Sequence, residues 1–123
     1  MKSLPISLLL IAMFCFTGCF KNPKITNIPG PYFLLNNVSS WSLYYDLDDA
    51  GHGRIDSVNK IGWTKKYIFA ENNNQYYFIN KTIDKPEYNA NEIVKGPFEY
   101  EEFQRMLDSL RIKDFKFKIF LAK

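Results

Sequence analysis

The stretch KYIFAENNNQYYFIN, residues 66–80, decides how the rest of the chain is read. Its two arms, 66–71 and 75–80, are rich in Tyr, Phe and Ile, the aromatic and β-branched types that fit a pleated, half-buried surface. Between them stand Asn72, Asn73 and Asn74, which tolerate the left-handed backbone of a tight hairpin. The spacing predicts two antiparallel strands joined by a short turn.

The same reading extends outward. Upstream, residues 32–36 (YFLLN) and 41–47 (WSLYYDL) form two more strands around the loop NNVSS, with Ser42 and Tyr44 opposed to Leu43, Tyr45 and Leu47. Residues 55–61 offer a weak third candidate. Downstream, residues 81–95 carry Pro86 and little periodicity, a loop with one helical turn near 90–94. Gly96 and Pro97 punctuate the chain. From 99 to 111, Phe103, Met106, Leu107 and Leu110 recur at the spacing of a helix lying on a core. Glu99, Glu101 and Glu102 lead it and Arg111 and Lys113 follow, as the helix dipole favours. No Ser, Thr, Asp or Asn stands where an N-cap is wanted. In FKFKIF, residues 115–120, Phe115, Phe117 and Ile119 alternate with Lys116 and Lys118, a half-exposed strand suited to a sheet edge. The expected fold is α+β, a mainly antiparallel sheet of about five strands with one C-terminal amphipathic helix packed on it and a final edge strand. A single domain over 32–123 holds it.

The N-terminus has a different character. Met1, Lys2 and Ser3 precede a mostly apolar run over 4–16, the length of a signal-peptide core and short for a bilayer span. The run ends FCFTGCF, with Thr17 and Gly18 before Cys19. This arrangement resembles the bacterial lipobox, in which the cysteine receives a diacylglyceryl group and the leader is cut just before it; Phe16 stands where Leu is most usual. The resemblance makes 1–18 a lipoprotein signal peptide, sends Cys15 away with it and puts the lipid on Cys19. Disulfide and zinc pairing of the two cysteines then fall away. Residues 19–31, polar and punctuated by Pro23, Pro29 and Pro31, read as a lipidated tether. Asp is the familiar inner-membrane retention signal after the lipidated cysteine. Phe20 stands there instead, which places the protein on the outer membrane facing the periplasm in a host that has one, and on the outer face of the plasma membrane otherwise.

Composition narrows the chemistry. A net charge of +3 on 123 residues, with no basic block, argues against a nucleic-acid partner. In DLDDAGHGRID, Asp46, Asp48, Asp49 and Asp56 suggest a hard cation, but counted as a calcium-binding loop from Asp46 the last ligand position is Ser57, where a bidentate Glu is needed. His52, the only histidine, has no serine in a nucleophile-elbow pattern to serve. No cofactor or metal is implied. The aromatic share, 17%, is too large to bury whole, so an exposed aromatic platform is expected, with Trp41, Tyr44, Trp63 and Tyr77 as its candidates.

Two segments together, KYIFAENNNQYYFINK and GPFEYEEFQRMLDSLRI, resemble a family of small, uncharacterised bacterial lipoproteins. Tyr76, Tyr77, Ile79, Gly96, Pro97, Phe98, Glu101, Glu102 and Phe103 carry the match. The resemblance implies a lipoprotein and a fold, and no activity. The functional expectation is a non-enzymatic, lipid-anchored binding or accessory module of the bacterial envelope, with the membrane and a second envelope protein as partners. The alternative is a small envelope hydrolase or metal-dependent enzyme using the loop from Asp46 to Asp56 with His52.

Overall fold

The computed structural model describes residues 23–47 and 50–121; Cys15, Cys19, Asp48 and Asp49 lie outside them. The first strands are β1 (Lys24–Ile25), β2 (Tyr32–Asn37), β3 (Ser40–Leu47) and β4 (Ala50–Ile55). A second group comprises β5 (Lys60–Trp63), β6 (Tyr67–Asn72) and β7 (Gln75–Asn80). Helix α1 (Ala90–Ile93), β8 (Lys95–Phe98), helix α2 (Tyr100–Ser109) and β9 (Ile119–Phe120) follow. All pairings are antiparallel and fall into two sheets, β1-β2-β3-β4 and β8-β7-β6-β5-β9.

The aromatic hairpin forms as its sequence demands. Asn73 and Asn74 take φ of 49° and 65°, the left-handed pair of a two-residue turn, and the ladder runs from Asn72 opposite Gln75 to Tyr67 opposite Asn80. Strand β6 is central in its sheet and buried on both faces. Ile68 and Ala70 meet the first sheet, while Phe69 meets α2.

The expectation of one sheet is corrected to two. Residues 50–55, AGHGRI, have little strand composition, yet β4 closes the first sheet against β3. Ser57, at φ 53°, then turns the chain into the second sheet. The candidate strand at 55–61 is thereby split, with Ile55 ending β4 and Lys60 and Ile61 opening β5. Period-two alternation reports which face a residue occupies and not which sheet its strand joins. The inner core lies between the sheets: Tyr32, Leu34, Leu43 and Ile55 meet Ile61, Ile68, Ala70 and Ile79. A second, aromatic core lies on the far side of the second sheet, under α2 and the C-terminal segment.

Both helices start on a capping box, with Asn89 as the N-cap of α1 and Glu99 as that of α2. The Glu102 carboxylate accepts the Glu99 amide at 3.1 Å, and Glu92 accepts that of Asn89 at 2.9 Å. A glutamate three residues in satisfies the amide before each helix. The C-terminal edge strand is present but short: only Ile119 and Phe120 pair with β5. Residues 115–117 pass the sheet outside the ladder and turn Phe115 and Phe117 into the aromatic core, and the Lys118 amide first rejoins β5 by donating to the Ile61 carbonyl at 2.9 Å. Gly62 permits this crossing. A Cβ there would lie 2.7 Å from the Phe115 ring and 3.1 Å from backbone atoms of Lys116 and Phe117.

Residues 23–31, the described part of the expected tether, are joined to the domain. Strand β1 pairs with β2, the Pro23 carbonyl accepts the Asn36 amide at 3.0 Å, and Ile28 is buried in the inner core.

One buried ion pair ties the two sheets. The register of β3 on β4 shifts so that Leu43 faces Ile55 and Tyr44 faces Gly53, leaving Arg54 as the extra residue. Such a bulge re-aims its side chain, here into the interior. Arg54 Nε and Nη2 donate to the two oxygens of Asp84 at 3.0 and 2.9 Å, and Nη2 also reaches the Lys85 carbonyl at 2.9 Å. The Tyr32 hydroxyl donates to Asp84 Oδ2 at 2.7 Å, and the Tyr45 ring stacks 5.2 Å from the guanidinium. The two charged side chains are 1% and 0% exposed. Asp84→Ala leaves the guanidinium buried without its counter-charge and is expected to cost about 3–5 kcal/mol in urea unfolding. Arg54→Met combined with Asp84→Leu removes both charges at similar volume and is expected to lose far less. Equal losses would show that the stranded charge is not the source of the cost.

Candidate functional site

The four aromatics expected to form a platform do not come together. Trp41, Trp63 and Tyr77 share strand parity with Leu43, Ile61 and Ile79, and all three pack partly buried against the inner core. Tyr44 has the other parity. It lies on the outside of the first sheet, stacked on Phe33 at 5.4 Å, and its hydroxyl accepts from Asn37 Nδ2 at 2.8 Å. Lys118 Nζ caps the Trp63 ring at 4.7 Å.

The acidic stretch is likewise drawn out. Asp46 stands opposite Gly51 at one end of β4, and Asp56 follows Ile55 at the other. Five steps of extended chain separate Gly51 from Asp56, about 17 Å at strand rise, so the two carboxylates do not converge on one cation. His52 faces Tyr45 in the ladder. Among the described residues no three His, Cys, Asp or Glu side chains are grouped to hold a metal ion.

The aromatic assembly that does form lies elsewhere. On the far side of the second sheet, α2 and the C-terminal segment run past one another and leave a groove of about 390 Å³. Tyr76 from β7, Phe103 from α2 and Phe117 from the tail line it as stacked rings: Tyr76 lies 4.6 Å from Phe103 at 11°, and Phe103 lies 6.2 Å from Phe117 at 18°. Phe115 stands edge-on to Phe117 at 5.1 Å. At the mouth are Tyr100 and Phe120, which keep 58% and 68% of their surface exposed. These offset and edge-to-face contacts lock the lining, in which Tyr76 and Phe103 are buried and Phe115 and Phe117 half-buried, so the open ring surface is mainly that of Tyr100 and Phe120.

Two lysines border the groove. Lys116 is exposed, and Lys60, half-exposed, lies 3.3 Å from the buried Glu71 carboxylate directly across the ladder. Burial first, and then the Glu71 charge, push the Tyr76 phenol above its ordinary value. The Tyr76 phenol thus keeps its proton to higher pH than a free tyrosine. The groove falls within the range of about 300–1,000 Å³ usual for sites that take small molecules or large side chains. Its lining holds no nucleophile paired with a base. It suits an apolar or aromatic group, with a negative charge accommodated at the lysine border.

A smaller, uncharged cleft of about 180 Å³ sits where the hairpin turns meet, lined by Ser39, Ser40, Trp41, Ser57, Asn59 and Asn73. Asn36, opposite Trp41 in the ladder, has its Oδ1 buried without a hydrogen-bond partner. The signals for the larger groove were present in the sequence. The helical stripe marks Phe103, and the alternation in FKFKIF puts Phe115 and Phe117 on one side. Missing was any sign that the tail leaves the ladder and packs against the helix.

Raised phenol values make a pH test available. Tyr76 and, more strongly, Tyr32 are held protonated by the fold, Tyr32 by burial and by its hydrogen bond to Asp84. Their contribution to stability is complete below the ordinary value of 10.0 and is lost as pH rises above it, because the unfolded chain releases those protons first. Urea unfolding is expected to weaken above that pH, and Tyr76→Phe is expected to make the decline shallower. An unchanged slope would contradict the buried setting of Tyr76. No family model, curated protein or solved structure matches the chain.

Proposed function

We propose that the chain is a non-enzymatic binding module of the bacterial envelope, anchored by a diacylglyceryl group on Cys19. Its aromatic groove takes an apolar or aromatic group of an envelope partner protein. The observation that carries the binding role is the groove itself: stacked rings, two exposed aromatics at the mouth and a lysine border, with no catalytic pair. The leader over 1–18 and the small residues before Cys19 support the anchor. Two or three acyl chains, at roughly 0.8 kcal/mol per buried methylene, hold such a domain durably. Among the described residues no helix is long and apolar enough to cross a membrane.

The anchor and the groove are tested separately. Cys19→Ser is expected to abolish fatty-acid labelling and to leave the leader uncut; unchanged labelling would remove the anchor. For the groove, anilinonaphthalenesulfonate is a suitable probe, with aromatic rings and one negative charge. Saturable binding is expected for the wild type and its loss in Tyr100→Ala combined with Phe120→Ala. Both residues are well exposed, so thermal stability is expected to stay within about 0.5 kcal/mol. The same double variant is expected to reproduce the phenotype of a deletion, with His52→Ala behaving as wild type. The reverse pattern would move the function to β4 and support the hydrolase reading.

A further inference from the structure

The point at which the chain enters the domain bears on how the domain stands on its membrane. The Pro23 carbonyl accepts from the Asn36 amide, and Lys24 pairs with Leu35. Pro23 therefore lies beside the end of β2, at the turn formed by Val38 and Ser39. Three residues separate Cys19 from Pro23. Fully extended, those four steps reach about 14 Å. Strand β3, eight residues long, runs away from that turn for about 26 Å. On the reading that Cys19 carries the lipid, on which this inference rests, the turn end is tied close to the bilayer, and the reach of the tether is shorter than the domain is long.

The side chains at that end match the place. Val38 stands at the tip of the β2–β3 turn, 100% exposed and at φ 65°. A β-branched residue is a genuine outlier in that conformation, where Gly or Asn is at ease. Asn59 links the neighbouring elements to the same end, accepting the Asn73 amide through its side chain and the Leu121 amide through its carbonyl, each at 2.8 Å. That brings in Phe120, beside Leu121. The rest of the end is Ser39, Ser40, Ser57, Asn73 and Asn74, with Lys24 and Asp56 beside them and the Lys60 ammonium, paired with Glu71, 6.0 Å from the Phe120 ring. Exposed apolar tips among small polar groups suit the boundary between lipid headgroups and acyl chains.

We propose that this turn end is a membrane seat, with Val38 and Phe120 at the headgroup–acyl boundary of the bilayer that holds the lipid of Cys19. Phe120 is then also the membrane-side wall of the aromatic groove, which opens at the level of the headgroups beside Lys60. The opposite end, where Leu47 and Ile83 are exposed, points away from the membrane.

The test uses the processed full chain reconstituted in vesicles of phosphatidylethanolamine and phosphatidylglycerol. Val38→Cys, Phe120→Cys, Leu47→Cys and Ile83→Cys each accept an environment-sensitive fluorophore, since an acylated Cys19 has no free thiol. All four positions are exposed, and thermal unfolding of the labelled proteins checks the fold. A blue shift, and loss of emission to nitroxide-labelled lipid, is expected at positions 38 and 120 and not at 47 and 83. If the protein floats with the vesicles and its mass shows an acylated Cys19, equal or reversed responses overturn the seat while the anchor stands. A blue shift at 38 and 120 that needs no lipid and grows with protein concentration assigns the surface to a second copy and also overturns it. An unacylated Cys19 with no flotation removes the anchor, and the seat with it.

Discussion

Arg54 is the residue on which the arrangement of the two sheets turns. A guanidinium cannot be left in an apolar interior without a counter-charge and hydrogen bonds for its donors. Here the β-bulge aims it inward from β4, and Asp84, four residues after the end of β7, meets it with both oxygens. Tyr32 from β2 completes the set. The pair thus joins the first sheet to the segment that leaves the second, and it fixes where residues 81–89 run before α1. Hydrophobic contact alone would let two sheets slide, because apolar surfaces attract without direction. A bidentate pair is satisfied in one geometry only. The described domain contains no cysteine, so this polar contact does the registering that a disulfide does in many small exported domains.

The far side of the second sheet is governed by shape more than by charge. Gly62 leaves β5 bare at the place where the tail crosses, and the Phe115 ring drops into that gap. Phe117 can then stack against Phe103 from α2. The tail returns to β5 through the Lys118 amide and pairs in the ladder from Ile119. Helix and tail bury the Tyr76 and Phe103 rings between them but leave Tyr100 and Phe120 exposed at the rim, so the groove is a product of packing that stops short of closure. A side chain at position 62 would lift the tail, and groove and edge strand would be lost together.

The parts of this fold that were legible from sequence are those in which a local pattern has one solution. Three asparagines between two aromatic runs make a hairpin, and a 3.6-residue apolar stripe makes α2. Judged by type alone, Trp41 and Tyr77 read as a platform; the signal which that reading leaves unused is strand parity, which puts Trp41 with Leu43 and Tyr77 with Ile79 on the inner face. The division into two sheets was not legible, because AGHGRI has the composition of a turn and becomes a strand only through its pairing with β3. Asp84 was equally silent, sitting in a stretch that reads as loop. Its importance comes from a partner thirty residues upstream, and nothing local marks it. The supposed tether reads as linker because it is polar and proline-rich, yet Ile28 anchors it to the core.

That last difference alters the mechanics of the proposed anchor. A flexible tether from Cys19 to Pro31 would let the domain tumble freely, and any face could meet a partner at any height. With the chain already paired at Lys24, only three residues of sequence stand between Cys19 and Pro23. Orientation becomes a property of the fold, set by which end of β2 the β1 strand lies against. A groove whose mouth is held near the headgroups meets the membrane-proximal part of a partner and is poorly placed for one that projects far from the surface. On the proposed reading, the short tether therefore selects partners by height above the bilayer, and the stacked rings select them by chemistry.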